Sequence, residues 1–163
     1  SVISKDDALH FGMSGPNIRA SGIPYDIRRL DKYGIYGRLD FEVPVGETGD
    51  NWDRYLIRIR EIEESAKIIR QCLDNMPGGA FKGKVPKVLK PPKGDAYQRV
   101  ENTRGELGFY IVSDGTAKPY RVHIRRPSFI NLQALDHMCR GMVLADAVTA
   151  FATIDPLMGE VDC

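Results

Sequence analysis

The sequence has little cysteine, and its three cysteines lie far apart without forming a CxxC or CxxH pair: Cys72, Cys139 and Cys163. Zinc sites and iron–sulfur clusters need closely spaced thiolates or histidines, so this spacing argues against both. We therefore expect reduced thiols, with Cys72 and Cys139 acting as small buried hydrophobic residues within helices. The chain also lacks an apolar run of the roughly 20 residues that cross a bilayer. Its first residues lack the apolar stretch of a secretory signal, and we expect a soluble or peripheral protein.

An excess of charge of either sign is missing as well, since 23 basic residues stand against 22 acidic ones. Composition therefore gives no reason to expect binding to nucleic acid or to a membrane surface. Lysines recur in residues 80–94, but the segment lacks the series of stacking aromatic side chains that single-stranded nucleic acid needs. We expect no nucleic-acid partner, and the length of 163 residues suits one domain with a core of its own.

Residues 1–48 carry many glycines and prolines and show no sustained hydrophobic period. We expect loops here, with a short helix near residues 5–11 and a short strand. A free-standing domain seldom begins so irregularly. The segment is typical of chain that packs against a partner or against a further part of the same subunit.

A long helix is predicted over residues 49–76. Asp50 can cap it, and Pro77 with the two glycines that follow ends it. The charged side chains within it predict a solvated face. Residues 80–94, rich in lysine, proline and glycine, predict an extended linker. Apolar side chains recur along one face of the helix at spacings of three and four: Trp52, Tyr55, Ile59, Ile62, Ala66, Ile69 and Leu73.

A pair of antiparallel strands is predicted after the linker. Residues 106–112 are rich in β-formers, residues 113–115 are a turn signal, and residues 120–125 alternate apolar with basic side chains. His123 falls on the basic side. A surface histidine is the plainer interpretation, and a ligand is the alternative.

Two helices are predicted to close the chain, a short one over residues 132–138 and an apolar one over residues 142–154. Asp146 is the one charge in the second helix, so burial there would require a partner. The predicted fold class is therefore α+β, with a long helix, a small antiparallel sheet and a C-terminal helix. We expect residues 1–163 to form one segment of a single domain, in which residues 95–163 hold the hairpin, the helix and a C-terminal loop.

Four motifs are spread in order over the whole chain. They are Ser14-Gly15-Pro16-Asn17-Ile18-Arg19-Ala20-Ser21-Gly22 with Tyr25-Asp26-Ile27-Arg28, Gly49-Asp50 with Asp53-Arg54-Tyr55-Leu56-Ile57-Arg58, Arg104-Gly105-Glu106-Leu107-Gly108 through Ser113-Asp114-Gly115, and Asp155-Pro156-Leu157-Met158-Gly159-Glu160-Val161-Asp162. Together they resemble the signature of the 49 kDa subunit family of complex I, the respiratory NADH:quinone oxidoreductase. The resemblance implies the C-terminal part of a longer subunit. Its fold would be similar to that of the large subunit of nickel–iron hydrogenases.

The hydrogenase pattern near the C-terminus is DPCxxCxxH, in which the cysteines hold the metal pair. Aligned on Asp155-Pro156, the cysteine positions hold Leu157 and Glu160, and the histidine position holds Cys163. A soft-metal site cannot form without those thiolates. The resemblance implies that the vacated cavity became part of a quinone pocket and that this chain binds no cofactor. Electrons would come from a [4Fe–4S] cluster in a neighbouring iron–sulfur subunit, and quinone reduction would be coupled to proton translocation.

The resemblance also suggests roles for the residues of the last motif. Asp155 would be the acid that handles protons, Leu157 and Met158 would form an apolar wall, and Gly159 would allow close approach of the backbone. A turn or capping carboxylate is the alternative for Asp155. Other signature residues are expected to form interfaces or core ion pairs: Arg19, Arg28, Asp53 with Arg54, and Glu106.

The expected partners are the N-terminal part of the same subunit, the iron–sulfur subunit with the terminal cluster, other peripheral-arm and membrane-arm subunits, and quinone. The expected location is peripheral, on the cytoplasmic side of a bacterial inner membrane or the matrix side of a mitochondrial one. Two features depart from the family: Cys163 replaces a usual terminal arginine, and residues 80–94 replace a longer helical insertion. A second hypothesis is a structural or split-gene module of a related complex, fed by ferredoxin or another reduced cofactor, with no quinone contact. Under either hypothesis the isolated chain should not turn over.

Overall fold

The computed structural model describes residues 1–162, which form eight α-helices and one three-stranded antiparallel sheet. This arrangement confirms the predicted α+β class. No helix among these residues is both long enough and apolar enough to cross a membrane. The helices are α1 (Lys5–His10), α2 (Pro16–Ala20), α3 (Ile27–Leu30), α4 (Asn51–Asp74), α5 (Pro127–Leu132), α6 (Leu135–Cys139), α7 (Leu144–Ile154) and α8 (Met158–Val161); the strands are β1 (Gly94–Asn102), β2 (Gly105–Ser113) and β3 (Arg121–Arg125), and a 3-10 turn covers Tyr36–Arg38.

The first 48 residues form short helices joined by loops. The helix expected near residues 5–11 is α1, whose first turn is capped by the Ser4 hydroxyl accepting from the amide of Asp7. The expected short strand is wrong, because residues 1–48 contain no strand. Backbone groups here bond across the fold instead: the amide of Ile3 donates to the Gly49 carbonyl at 2.9 Å, and the amide of Ser14 donates to the side chain of Asn131 at 3.1 Å.

The loop before α2 lies directly against the turn between β1 and β2. Gly15 has a φ of 68°, and a Cβ at this position would lie 2.6 Å from the carbonyl oxygen of Arg104. Gly105, across the contact, would likewise meet Ser14. A side chain at either glycine would force the loop and the turn apart, so the glycines allow the first motif to pack on the third.

Helix α4 confirms the predicted cap and the predicted end. The Asp50 carboxylate accepts from the amide of Asp53 at 2.8 Å, and the helix ends at Asp74, three residues before Pro77. The Asp53 carboxylate accepts the amides of Glu47 and Thr48 at 2.9 and 2.7 Å, which fixes the loop that leads into the helix.

The apolar stripe of α4 faces away from the rest of the described chain. Its members are exposed, with Trp52 at 63% and Ile62 at 65%. The predicted solvated face is confirmed at Arg60, Glu63, Lys67 and Arg70, which are exposed, but not at Arg54 and Glu64, which are buried. Hydrogen bonds and an ion pair compensate their lost hydration. Arg54 donates to the carbonyls of Gly49 and Ser1 and to side-chain oxygens, and Glu64 pairs with Lys67 and accepts the amide of Glu42.

Residues 77–93 form neither helix nor strand and are exposed throughout, as expected of a linker. The linker ends where β1 begins, at Gly94. Strand β1 was not predicted, because its polar composition gives no alternating apolar signal.

The predicted strand pair is confirmed as β2 and β3. The strands pair in the order β1-β2-β3, and Tyr97, Tyr110 and His123 lie side by side in the register. His123 is exposed, in agreement with the surface interpretation. On β3 even the apolar Val122 and Ile124 remain 45% and 39% exposed.

The helices after the sheet differ from the prediction in two respects. The single helix expected over residues 132–138 is divided into α5 and α6. Asp146 on α7 is exposed, so the expectation of a buried carboxylate in need of a partner is wrong. Helix α7 buries Ala150 and Ile154, whereas Phe151 stays 41% exposed. Because the buried stripe of α7 is this narrow, Asp146 stays exposed to solvent.

A small hydrophobic core lies where α1, α2, α6 and α7 meet. Cys72 and Cys139 are free and partly buried, less so than predicted. Much of the remaining interior is polar, and it includes Arg19, Asp26 and Asn131. The core residues are Ile3, Ala8, Met13, Ile18, Ala134, Met138, Ala150 and Ile154.

Candidate functional site

Helix α7 ends in a left-handed turn at Asp155, which has φ 57° and ψ 56°. This conformation costs a residue with a side chain about 1 kcal/mol, although aspartate adopts it more readily than most. The turn redirects the chain into Pro156 and α8, so the last motif folds back over the end of α7. Contacts from elsewhere in the chain must stabilise this geometry.

Three side chains from three parts of the fold supply those contacts. The Ile154 carbonyl accepts from Arg58 Nη2 at 3.0 Å and from Asn17 Nδ2 at 3.3 Å, and the Asp155 carbonyl accepts from Arg104 Nε at 3.2 Å. The end of a helix leaves its last carbonyls without partners, and these donors satisfy two of them. The first, second and third motifs thereby fix the position of the fourth.

The carboxylate of Asp155 has two cationic neighbours. Arg104 Nη2 lies 3.3 Å from it, and Arg58 Nε lies 3.8 Å from its Oδ2 atom. The Asp155 side chain is nevertheless 44% exposed. A carboxylate that is partnered and also open to solvent can exchange protons without a large rearrangement. Asp155 therefore forms the predicted turn and also places its carboxylate where solvent can reach it.

Glu160 anchors the segment that follows Asp155, a role that the sequence alone did not indicate. Its buried carboxylate accepts from Asn102 Nδ2 at 2.7 Å, from the amide of Ser128 at 3.0 Å and from the Ser128 hydroxyl. The Ser128 hydroxyl in turn accepts the amide of Leu157 at 3.1 Å. These partners are 58 and 32 residues away in sequence, so no local pattern could have indicated them.

The residues predicted to line a pocket lie at the surface next to Asp155. Leu157 and Met158 are 46% and 65% exposed, and a Cβ placed on Gly159 would meet open space. The described residues therefore do not enclose them on all sides. Cys163, at the position of the hydrogenase histidine, lies outside the described residues. Within residues 1–162 no group of three or more histidine, cysteine, aspartate or glutamate side chains could hold a metal ion.

A cavity of about 430 Å³ opens beside the Asp155 carboxylate. Arg19, which is 1% exposed, forms part of its wall and contacts Glu61 at 2.7 Å and Glu101 at 2.8 Å. Burial raises the pKa of Glu101, although the charge of Arg19 acts in the opposite direction. Burial would likewise raise the pKa of Asp26, but the hydrogen bonds and charge of Arg28, together with Arg19, outweigh it and lower that pKa.

The remaining signature residues take structural positions. Arg28 pairs with Asp26 at 2.6 Å, and Glu106 accepts from the hydroxyls of Tyr25 at 2.5 Å and Tyr97 at 3.0 Å. Arg19 and Arg28 are core ion-pair residues, as predicted. Asp53 and Arg54 do not pair with each other, because each bonds mainly to loop groups.

Comparison with known proteins gives consistent matches along the chain. A family model described as "Respiratory-chain NADH dehydrogenase, 49 Kd subunit" matches residues 1–93 and 84–163. The chain is 48% identical over 162 residues to an NADH-quinone oxidoreductase subunit from Desulforamulus reducens, 51% over 161 residues to one from Clostridium beijerinckii, and 49% over 162 residues to one from Bacillus mycoides. Each alignment covers 99% of this chain and 44% of the relative. The chain thus spans less than half the length of these curated relatives.

Proposed function

Because the chain belongs to the family of the 49 kDa subunit of respiratory-chain NADH dehydrogenase, as the C-terminal part of that subunit, we propose that it forms one side of the site where quinone is reduced. Electrons pass to quinone from a [4Fe–4S] cluster in the neighbouring iron–sulfur subunit, and the reaction is coupled to proton translocation. The relatives are named as subunits of NADH-quinone oxidoreductase, a name that includes the donor and the acceptor. The isolated chain is not active by itself.

The observation that carries this proposal is the geometry of the Asp155 turn. Its carboxylate lies next to two arginines and remains open to solvent, and exposed Leu157 and Met158 follow it directly. A quinone site needs an apolar wall for the ring and a few polar groups that transfer protons. Asp155 serves as the proton donor, Leu157 and Met158 as part of the wall, and Gly159 as a point of close backbone approach.

The likeness to nickel–iron hydrogenases explains why this site lies at the end of α7. Leu157 and Glu160 occupy the positions of two metal-binding cysteines in the hydrogenase pattern. In this chain Glu160 binds Asn102 and Ser128, so one former ligand position now fixes the loop, while Leu157 offers an apolar surface. We infer a hydrogenase-like fold in which a pocket for quinone replaces the metal centre.

The proposed assembly explains why so much apolar surface is exposed. The α4 stripe and the surface around Leu157 require cover, which we assign to the N-terminal part of the same subunit and to the iron–sulfur subunit. Other peripheral-arm and membrane-arm subunits complete the complex. The chain then lies at a membrane, on the cytoplasmic side in bacteria or the matrix side in mitochondria.

Substitutions in the assembled complex test this function. Asp155→Asn keeps a residue that tolerates the left-handed turn but removes the acid, and it should slow quinone reduction by about 100-fold. Leu157→Glu places a charge in the apolar wall and should impair quinone reduction for a different reason, the cost of removing that charge from water. Oxidation of the donor by an artificial acceptor upstream of quinone should persist in both variants.

Asp146→Asn provides the matched control, since Asp146 is an exposed carboxylate on the same helix and lies away from the turn. It should reduce quinone at the parental rate. If Asp155→Asn and Leu157→Glu also assemble, reduce quinone normally and keep the parental inhibitor sensitivity, the turn is structural. The chain would then be a structural or split-gene module of a related complex fed by ferredoxin or another reduced cofactor.

A further inference from the structure

The cavity beside Asp155 is lined by equal numbers of positive and negative side chains. Its volume of about 430 Å³ has room for roughly a dozen water molecules at about 30 Å³ each. Ser65 and Thr103 also line the cavity and are exposed, so the cavity is open to solvent. The charged residues that line it are Arg19, Arg28, Arg58, Glu61, Glu101 and Asp155.

These charges form an ordered series across the cavity. Arg58 lies 3.8 Å from Asp155, and the charges of both Asp155 and Glu61 act on its guanidinium. Glu61 contacts Arg19 at 2.7 Å, and Arg19 contacts Glu101 at 2.8 Å. Carboxylates therefore alternate with arginines from Asp155 at one end to Glu101 at the other.

Most arginines inside a protein serve to neutralise fixed carboxylates, and this series does so. A purely structural ion-pair network, however, needs no adjoining cavity, whereas this series of charges borders one. The three carboxylates of the lining offset the positive potential of its three arginines, which would otherwise keep protons out.

We propose that this cavity is the route by which protons from solvent reach Asp155, with Glu61 and Glu101 as the groups that bind a proton on the way. The proposal rests on the function proposed above and extends it to the source of the protons. Water in the cavity connects the carboxylates, and the arginines keep their protons and orient the carboxylates.

Glu101 is the most shielded carboxylate of the series. Its side chain is only 4% exposed, and burial raises its pKa. Arg19 from α2 opposes this effect, and Asp26 at the start of α3 supports it. The amide of Ile27 donates to Glu101 at 3.0 Å and, like Arg19, favours its charged form. Glu101 is therefore the carboxylate of the series whose protonated form burial favours.

The proton balance of the reaction fixes what the route must deliver. Reduction of quinone to quinol takes two electrons, which arrive from the cluster of the neighbouring subunit, and two protons. When Asp155 gives a proton to an oxygen of the reduced quinone, its carboxylate becomes anionic. A proton from the cavity restores the acid, which then gives the second proton to the other oxygen of the reduced quinone. Protons from solvent restore Glu61 or Glu101 and, through them, Asp155.

The test uses the complete complex and measures quinone reduction at saturating quinone from about pH 6 to about pH 8.5, with Glu61→Gln and Glu101→Gln as variants. Glutamine keeps a hydrogen-bonding group beside Arg19 but cannot carry the proton. We expect the rate to fall by about tenfold at the alkaline end, where protons are scarce, and to change little at the acidic end. Oxidation of the donor by the artificial acceptor should be unchanged.

Two matched carboxylates serve as controls. Glu64 lies on the same helix as Glu61 and is at least as well shielded, but it binds Lys67 and the amide of Glu42 outside the cavity. Glu106 lies at the start of the strand next to Glu101 and binds two tyrosine hydroxyls. Glu64→Gln and Glu106→Gln should retain the parental pH profile.

A cavity-filling variant, Ser65→Phe, tests the route without removing a charge, in case the glutamine variants do not assemble. It should lower the alkaline rate in the same way. Parental pH profiles in Ser65→Phe, Glu61→Gln and Glu101→Gln would overturn the proton route. If those profiles are parental while Asp155→Asn remains slow, only the route fails; if Asp155→Asn is also fast, the proposed function fails with it.

Discussion

Two buried arginines meet the cost of losing their hydration in different ways. Arg19 contacts two carboxylates within 3 Å, Glu61 and Glu101, which compensate its charge. Arg54 is equally buried but bonds only to neutral oxygens, among them the carbonyls of Gly49 and Ser1. Burial consequently lowers the pKa of Arg54 to about 10. Arg19 thus belongs to an electrostatic network, whereas Arg54 ties the start of the chain to α4.

Asp26 allows a test at the scale of one residue. Its buried carboxylate caps α3 and pairs with Arg28, and Asp26→Asn would keep the cap but lose the pair. We expect the free energy of unfolding at pH 7 to fall by about 3 kcal/mol. Urea unfolding at low protein concentration measures it.

The pH dependence of the same variant gives an independent check. The pKa of Asp26 is lowered in the folded state, so its ionisation stabilises the fold above the unfolded pKa of about 3.9. That contribution is lost as the pH falls through the lower folded pKa. Asp26→Asn should therefore lose less stability in acid than the parent. Equal acid losses would show that the Asp26 pair does not contribute in this way.

The inner face of helix α4 carries charged residues and its outer face is apolar. A surface helix usually has its apolar face inside and its charged face outside. Arg54, Ile57 and Glu64 face the fold, while the apolar stripe faces outward. Isolated soluble domains rarely leave so continuous an apolar surface exposed. The outer face is therefore the part of α4 that a second structure covers.

Two isoleucines of α4 separate the roles of its faces. Ile57 is 1% exposed, so Ile57→Ala should destabilise the chain by about 2–5 kcal/mol. Ile69 is 59% exposed, so Ile69→Lys should change the stability by no more than about 0.5 kcal/mol while weakening assembly of the complex. Chemical denaturation and the yield of assembled complex measure the two effects. A large destabilisation by Ile69→Lys would mean that the stripe packs within the chain.

Local signals at the level of elements were sufficient to predict α1, α4, β2 and β3. Caps such as Asp50 and turn residues such as those after Ser113 act on their nearest neighbours, so the sequence displays them. Periodicity predicted the apolar stripe on α4. It could not show that the stripe faces outward, because that direction depends on contacts made elsewhere in the fold. Strand β1 carries a polar sequence and is a strand because β2 pairs with it along its whole length.

The candidate site was predictable only as a position in the chain. The fourth motif pointed to Asp155, but its left-handed turn depends on Asn17, Arg58 and Arg104, which are distant in sequence. The anchor at Glu160 depends on equally distant partners. Contacts of this kind follow from the tertiary fold, and a single sequence contains no local record of them.

The described chain exposes many large apolar side chains, above all along the α4 stripe, and its hydrophobic core is small. We therefore expect the isolated chain to be only weakly stable or to associate with itself at moderate concentration through the α4 stripe. Sedimentation of the purified chain over a concentration series would show the association, and Ile69→Lys should reduce it. A monomer that melts cooperatively at every concentration would contradict this expectation.

The exposed linker at residues 77–93 makes the chain divisible. Contacts that bridge it, including the pairs of Arg19 with Glu101 and of Arg99 with Asp31, lie between the segment before the linker and the segment after it. A protease that cuts near Lys84 should therefore release two fragments that co-elute under native conditions and separate only in denaturant. The chain would then behave as two peptides held together by a shared core and by ion pairs. The linker would be a place where a label, an insertion or a split leaves the proton route and the Asp155 turn intact.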